Sequence, residues 1–90
     1  MEIIWSQRAV RQLEAITCCI ACDAPQRATV FVDRIIHATT QLARHPNSGK
    51  KMRQLSPLRQ LVIQKYRIVY RVRKTVEIIA VLGPRQQRGR

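Results

Sequence analysis

An α+β domain is predicted by three observations. Two consecutive stretches carry apolar residues at helical spacing, a loop rich in turn formers follows them, and three β-rich runs come next. The last two runs can pair as a hairpin, and one face of that hairpin is apolar enough to bury against the helices. Ninety residues leave no room for two hydrophobic cores, so residues 1–90 are expected to form a single domain. With 46% hydrophobic residues the chain is not of a disordered class.

The first element is "EIIW" (2–5), a short apolar run read as a strand. Ser6 is placed to cap a helix whose apolar residues recur at Ala9, Leu13, Ile16 and Ile20, at steps of four, three and four. Gln7, Arg11, Glu14 and Cys18 fall on its opposite side. "CDAP" (22–25) then breaks the chain: Asp23 can cap a second helix, and Pro25 suits a first helical turn. The second stripe is Ala28, Phe31, Ile35, Ala38 and Leu42. This helix is predicted to stop by His45, because Pro46 disfavours the α conformation in the residue before it. So short a break makes the pair an antiparallel hairpin. "PNSGKKMRQLSP" (46–57) is a loop by composition, and strands are predicted over 59–64, 66–72 and 76–82.

Cross-strand matching sets a register for the final hairpin. Pairing Val72 with Val76 places Tyr70 opposite Ile78 and Ile68 opposite Ala80. The other face then holds Arg71 with Glu77, Val69 with Ile79, and Arg67 with Val81, around a three-residue turn at 73–75. A shift of one residue would set Val72 against Glu77, which is worse. In this register Arg71 has a cross-strand carboxylate and Arg67 has none.

The charge balance is the outlier of the composition. Seventeen Lys and Arg stand against five Asp and Glu, a formal net charge of +12. Self-repulsion of that size opposes the compact state and points to an acidic partner: nucleic acid, an anionic membrane surface or an acidic protein. No apolar stretch approaches the roughly 20 residues of a membrane span, and the N-terminus lacks the pattern of a secretion signal, so a cytoplasmic location is expected.

The order of elements, with "FVDRI", "L..HP.SG", "LRQLVI", "YRIVYRV" and "VEIIAVLGPR", resembles the ParE/RelE superfamily, the toxins of bacterial type II toxin–antitoxin systems. The likeness runs from about Ser6 to Arg85, and "FVDRI" with "L..HP.SG" is more typical of the ParE branch. It implies two helices packed on a small, twisted, mainly antiparallel sheet with a short N-terminal strand and a C-terminal β-hairpin. It also implies an acidic ParD-like antitoxin as partner, and no cofactor.

The two branches differ in chemistry. RelE-like toxins cut messenger RNA on the ribosome with basic residues and often a C-terminal tyrosine, and Arg67 and Arg85 match the two arginines of that pattern. No tyrosine or histidine follows Arg85, since the chain continues only as "QQRGR". The ParE branch implies inhibition of DNA gyrase by a protein that is not a nuclease. We therefore read a ParE-like gyrase inhibitor first, a RelE-like ribonuclease second, and a basic nucleic-acid-binding module without toxicity third. Arg59, Arg67, Arg71, Arg73 and Arg85 are the candidate contacts to antitoxin or target.

Other residues invite weaker readings. Cys18, Cys19 and Cys22 lack the paired spacing of a zinc site and are read as free thiols, with Cys18 and Cys22 off the core stripe. His45, just before Pro46, suits a helix C-terminus. Trp5 reads as a core residue. Only Trp5, Phe31, Tyr66 and Tyr70 are aromatic, and two of these belong to the hairpin's apolar face, so no base-stacking platform is evident.

Overall fold

A computed structural model describes residues 1–53 and 56–84. The elements run β1 (Ile3–Trp5), α1 (Gln7–Asp23), α2 (Pro25–Arg44), β2 (Lys50–Lys51), β3 (Leu58–Ile63), β4 (Tyr66–Val72) and β5 (Val76–Leu82). The five strands form one sheet in the order β1-β5-β4-β3-β2, antiparallel except for the parallel β1–β5 pair. The helical hairpin covers one face, as the sequence predicts.

Helix α1 begins where expected. The Ser6 hydroxyl accepts from the Ala9 N–H at 3.0 Å, which satisfies one of the donors a helix start leaves free. The break between the helices differs from the reading of Asp23 as a cap. Asp23 is the last residue of α1, and Ala24 serves as the C-cap of α1 and the N-cap of α2. The cause is Pro25, which forces the preceding residue out of the α region; Ala24 sits at φ −149°, ψ 91°. Helix α2 ends at Arg44 with His45 as its C-cap, as Pro46 requires.

The core joins Ala9, Phe31, Ile35 and Leu42 of the helices to Ile68, Tyr70, Val76, Ile78 and Val81 of the sheet. Leu13, Ile16 and Ile20 pack at its margin, as does Trp5. The stripe of α2 departs from its predicted course at one position: Thr39 is buried where Ala38 was expected. Its hydroxyl donates to the Ile36 carbonyl at 2.9 Å, so the polar atom is satisfied inside the helix. The Phe31 and Tyr66 rings meet at 4.8 Å with a 55° tilt, an edge-biased packing typical of aromatic pairs.

The final hairpin starts in the predicted register, with Val72↔Val76, Arg71↔Glu77 and Tyr70↔Ile78. A bulge then intervenes. Val69 pairs with Ala80, Ile68 with Val81 and Arg67 with Leu82, so Ile79 is the extra residue and the three predicted pairs beyond Tyr70 are displaced by one. The α1 end of the molecule supplies the physical reason. β1 leaves β5 after Trp5↔Ile78, and Ser6 takes its place at the bulge. Ser6 donates its N–H to the Ile78 carbonyl at 2.9 Å and its hydroxyl to the Ile79 carbonyl at 3.0 Å. One turn further, Gln12 Oε1 accepts from the Val81 N–H at 2.8 Å. The backbone groups that a free sheet edge would leave open are thus closed by the first turns of a helix.

Candidate functional site

The face of the sheet turned away from the helices is built by the period of two along β4. Tyr66, Ile68, Tyr70 and Val72 point to the helices, so Arg67, Val69 and Arg71 point outward. The strand registers lay out three rows on this outer face. One row runs Ile4–Glu77–Arg71–Leu58, a second Ala80–Val69–Gln60–Lys50, and a third Leu82–Arg67–Val62. The surface is therefore apolar in patches, with Ile4 and Val62 largely exposed, and its charges are mostly positive.

Arg71 is engaged within the chain, as its register predicts. Its Nε donates to Glu77 Oε1 at 2.9 Å, and its Nη2 donates to the same oxygen. Both side chains are about one-third exposed, so the pair contributes only about 0.2–1 kcal/mol. Arg67 has no carboxylate partner among the described residues. Its Nη1 donates to the amide oxygen of Gln60 at 3.3 Å, which orients the guanidinium without neutralising it. Gln60 and Lys50 were not singled out from the sequence. Only the β2–β3–β4 registers bring them beside Arg67 and Val69, and β2 lies in a stretch that reads as loop.

The remaining candidates scatter. Arg73 is exposed in the turn after β4. Arg85 lies outside the described residues. Arg59 is on the other side of the sheet, paired in register with the buried Tyr70. Its Nη1 donates to the Gly49 carbonyl at 2.8 Å and to the Asn47 carbonyl at 3.3 Å. The structure thus assigns Arg59 to holding the 46–49 loop, and brings only Arg67 and Arg71 together on one face.

That loop is also fixed by Tyr70, whose hydroxyl accepts from the Gly49 N–H at 2.8 Å and donates to the Pro46 carbonyl at 2.9 Å. Burial pushes the Tyr70 pKa above its usual value, against the Gly49 hydrogen bond, the charge of Arg59 and a Ser48 hydrogen bond. Its hydroxyl is committed and turned away from the arginine face. Tyr66 packs on Phe31 at the same inner side. His37 lines a shallow groove between α2 and the end of β3, with Val30, Asp33, Arg34 and Val62, and His45 caps α2.

Cys18, Cys19 and Cys22 are free and exposed on α1. No group of three His, Cys, Asp or Glu side chains converges among the described residues. Cys18→Ser/Cys22→Ser is therefore expected to shift unfolding free energy by no more than about 0.5 kcal/mol. Urea melts measure this, and metal analysis of both proteins should find no stoichiometric zinc.

No helix among the described residues is long and apolar enough to cross a membrane. The architecture has a close counterpart in the solved chromosomal ParDE toxin–antitoxin system of P. aeruginosa. The two chains superpose with a TM-score of 0.78 over 92% of this chain and 95% of that one, at 19% sequence identity. In sequence, the chain is 39% identical over 88 residues to Y4kP of Sinorhizobium fredii, which is designated a candidate toxin; the match spans 96% of this chain and 91% of that protein. Residues 3–88 match the family described as the ParE toxin of the type II toxin–antitoxin system parDE. The chain belongs to the ParE toxin family.

Proposed function

We propose that this ParE-type toxin acts in the cytoplasm by binding and inhibiting DNA gyrase, and that an acidic ParD-like antitoxin neutralises it. The reading rests on one observation above the others: the tyrosines face away from the cationic donors. Arg67 and Arg71 look outward from the sheet, while Tyr66 and Tyr70 are committed to its inner side and both histidines lie on or beside α2. Donors such as Arg67 suit a phosphate or a carboxylate. RNA cleavage would also draw on a general acid–base step worth about 10²–10⁴-fold in rate, and the described groups able to supply one are elsewhere or engaged. For the antitoxin, the support is the net charge of +12 beside exposed Ile4 and Val62, a surface suited to an acidic segment with apolar anchors.

Two assays on one induced culture test the target. Supercoiling by gyrase is expected to fall in the presence of the purified toxin, while mRNA 5′ ends mapped from the cells stay intact. Arg67→Ala is expected to weaken the inhibition at least tenfold. Codon-phased cuts that disappear in Arg67→Ala, with gyrase unaffected, would replace this reading with the ribosome-dependent ribonuclease.

A further inference from the structure

We propose that one end of the sheet, where the chain leaves β2 and passes from β4 to β5, binds the phosphate backbone of duplex DNA. Lys50, Lys51 and Arg53 stand on one side of this end, and Arg73 and Lys74 on the other, all exposed. The registers bring the two groups together. The Met52 N–H donates to the Leu58 carbonyl at 3.1 Å, and Leu58 pairs with Arg71, so Arg53 and Arg73 extend past the same edge two strands apart. At the usual strand spacing that separation is roughly 10 Å. Duplex DNA carries one charge per about 1.7 Å of axis, so cations spread over this width meet several phosphates at once.

Acidic groups do little to cancel the patch. Glu77 is held by Arg71, and Glu2, whose carbonyl accepts from the Val76 N–H, is the acidic residue beside the turn. The aromatic rings decide between forms of nucleic acid. Phe31 and Tyr70 are buried, and Trp5 and Tyr66 pack against the core on the helix side, so a single strand would find no rings to stack on at this end. A protein segment would be expected to anchor on apolar groups. Of the exposed large apolar residues, Val10, Val30, Ile36 and Val62 lie elsewhere, and Met52 stands singly among the cations, while Met1 and Ile4 belong to the β1 side of this end, beyond the turn. Long, flexible cations with no ring to stack on and only isolated apolar groups beside them fit a phosphate backbone that is contacted without reading sequence.

The proposal depends on the gyrase reading only for its setting, as the DNA would be the duplex that enzyme handles. Its test uses no gyrase, so either idea can fail alone. The full chain is titrated with a labelled random-sequence 20-base-pair duplex at several NaCl concentrations by fluorescence anisotropy. The logarithm of the affinity is expected to fall with the logarithm of salt at a slope of about −4, near −0.9 for each engaged phosphate. Lys50→Gln/Lys51→Gln/Arg53→Gln should reduce the slope by about 2–3, and Arg73→Gln/Lys74→Gln by about 2. A control that removes elsewhere as much charge as the two patch variants together, Arg8→Gln/Arg11→Gln/Arg27→Gln/Arg34→Gln/Lys65→Gln, should keep most of it. Circular dichroism checks each fold, and the two half-patch variants are independent, so one that fails to fold leaves the other decisive. Equal losses in patch and control variants would overturn the proposal, as would tighter binding of a single strand. Displacement of the duplex by polyglutamate at equal charge concentration would overturn it in favour of an acidic protein partner.

Discussion

Gly49→Ala is expected to lower the melting temperature by roughly 10–20 °C, the effect of about 2–3 kcal/mol on a domain of this size. A methyl group there would collide with the Tyr70 hydroxyl, and would lie 2.7 Å from Tyr70 Cε1 and 2.8 Å from the Gln60 carbonyl oxygen. Neither neighbour can move cheaply, since Tyr70 is fully buried and Gln60 is held in the β3 ladder. Tyr70→Phe removes the hydroxyl and leaves the Gly49 N–H and the Pro46 carbonyl without their partner, a cost of about 1–3 kcal/mol. It should not rescue Gly49→Ala, because the Gln60 carbonyl stays in place. Thermal melts of the three variants measure this; a Gly49→Ala midpoint within 2 °C of the parent, on the order of the noise of such melts, would mean that the loop gives way freely. Tyr70 adds a pH signature. Its pKa is raised in the fold, so its contribution is intact below the ordinary tyrosine value near 10 and is lost as pH climbs through the raised one.

Co-expression with the cognate antitoxin is expected to raise the melting midpoint by roughly 15 °C or more. A partner that binds only the folded state and is present at a thousand times its dissociation constant stabilises by about 4 kcal/mol, and each kcal/mol moves a domain of this size by about 4–8 °C. Two features motivate the size of the effect. The net charge of +12 repels itself, and Ile4 and Val62 remain in water beside Arg67 and Arg71. Differential scanning of the toxin alone and in complex decides it, and an unchanged midpoint would remove the case for a stabilising, charge-neutralising segment.

What was legible in the sequence is what short-range periodicity encodes. Ala9, Leu13, Ile16 and Ile20 mark one helix, and Ala28, Phe31, Ile35 and Leu42 mark the other, because burial repeats every three or four residues. The Arg71–Glu77 pair was readable for the same reason, since both residues sit close to one turn. The Ile79 bulge was not, because what stabilises it is Ser6 and Gln12, some seventy residues away. Thr39 looked polar and proved buried because its hydroxyl folds back on its own helix. Gly49 falls in a stretch that reads as loop by composition. Its φ is not positive, and what the position requires is room for the Tyr70 ring, which no local pattern records. Arg59 likewise looked like a surface cation and is a clasp for loop carbonyls.

The parallel pairing of β1 with β5 imposes an order on events in time. Ile3, Ile4 and Trp5 are made first, yet their partners are Val76, Glu77 and Ile78. At a synthesis rate of 5–20 residues per second, the N-terminal strand waits roughly 4–15 s before its counterpart has even been polymerised. During that interval the helical hairpin, whose contacts are local, can form without a finished sheet beneath it. A product that stops short of Val76 lacks the strand on which β1, Ser6 and Gln12 all close. The arginine-bearing surface therefore takes shape late, and a nascent chain has to run almost its whole described length before it carries one.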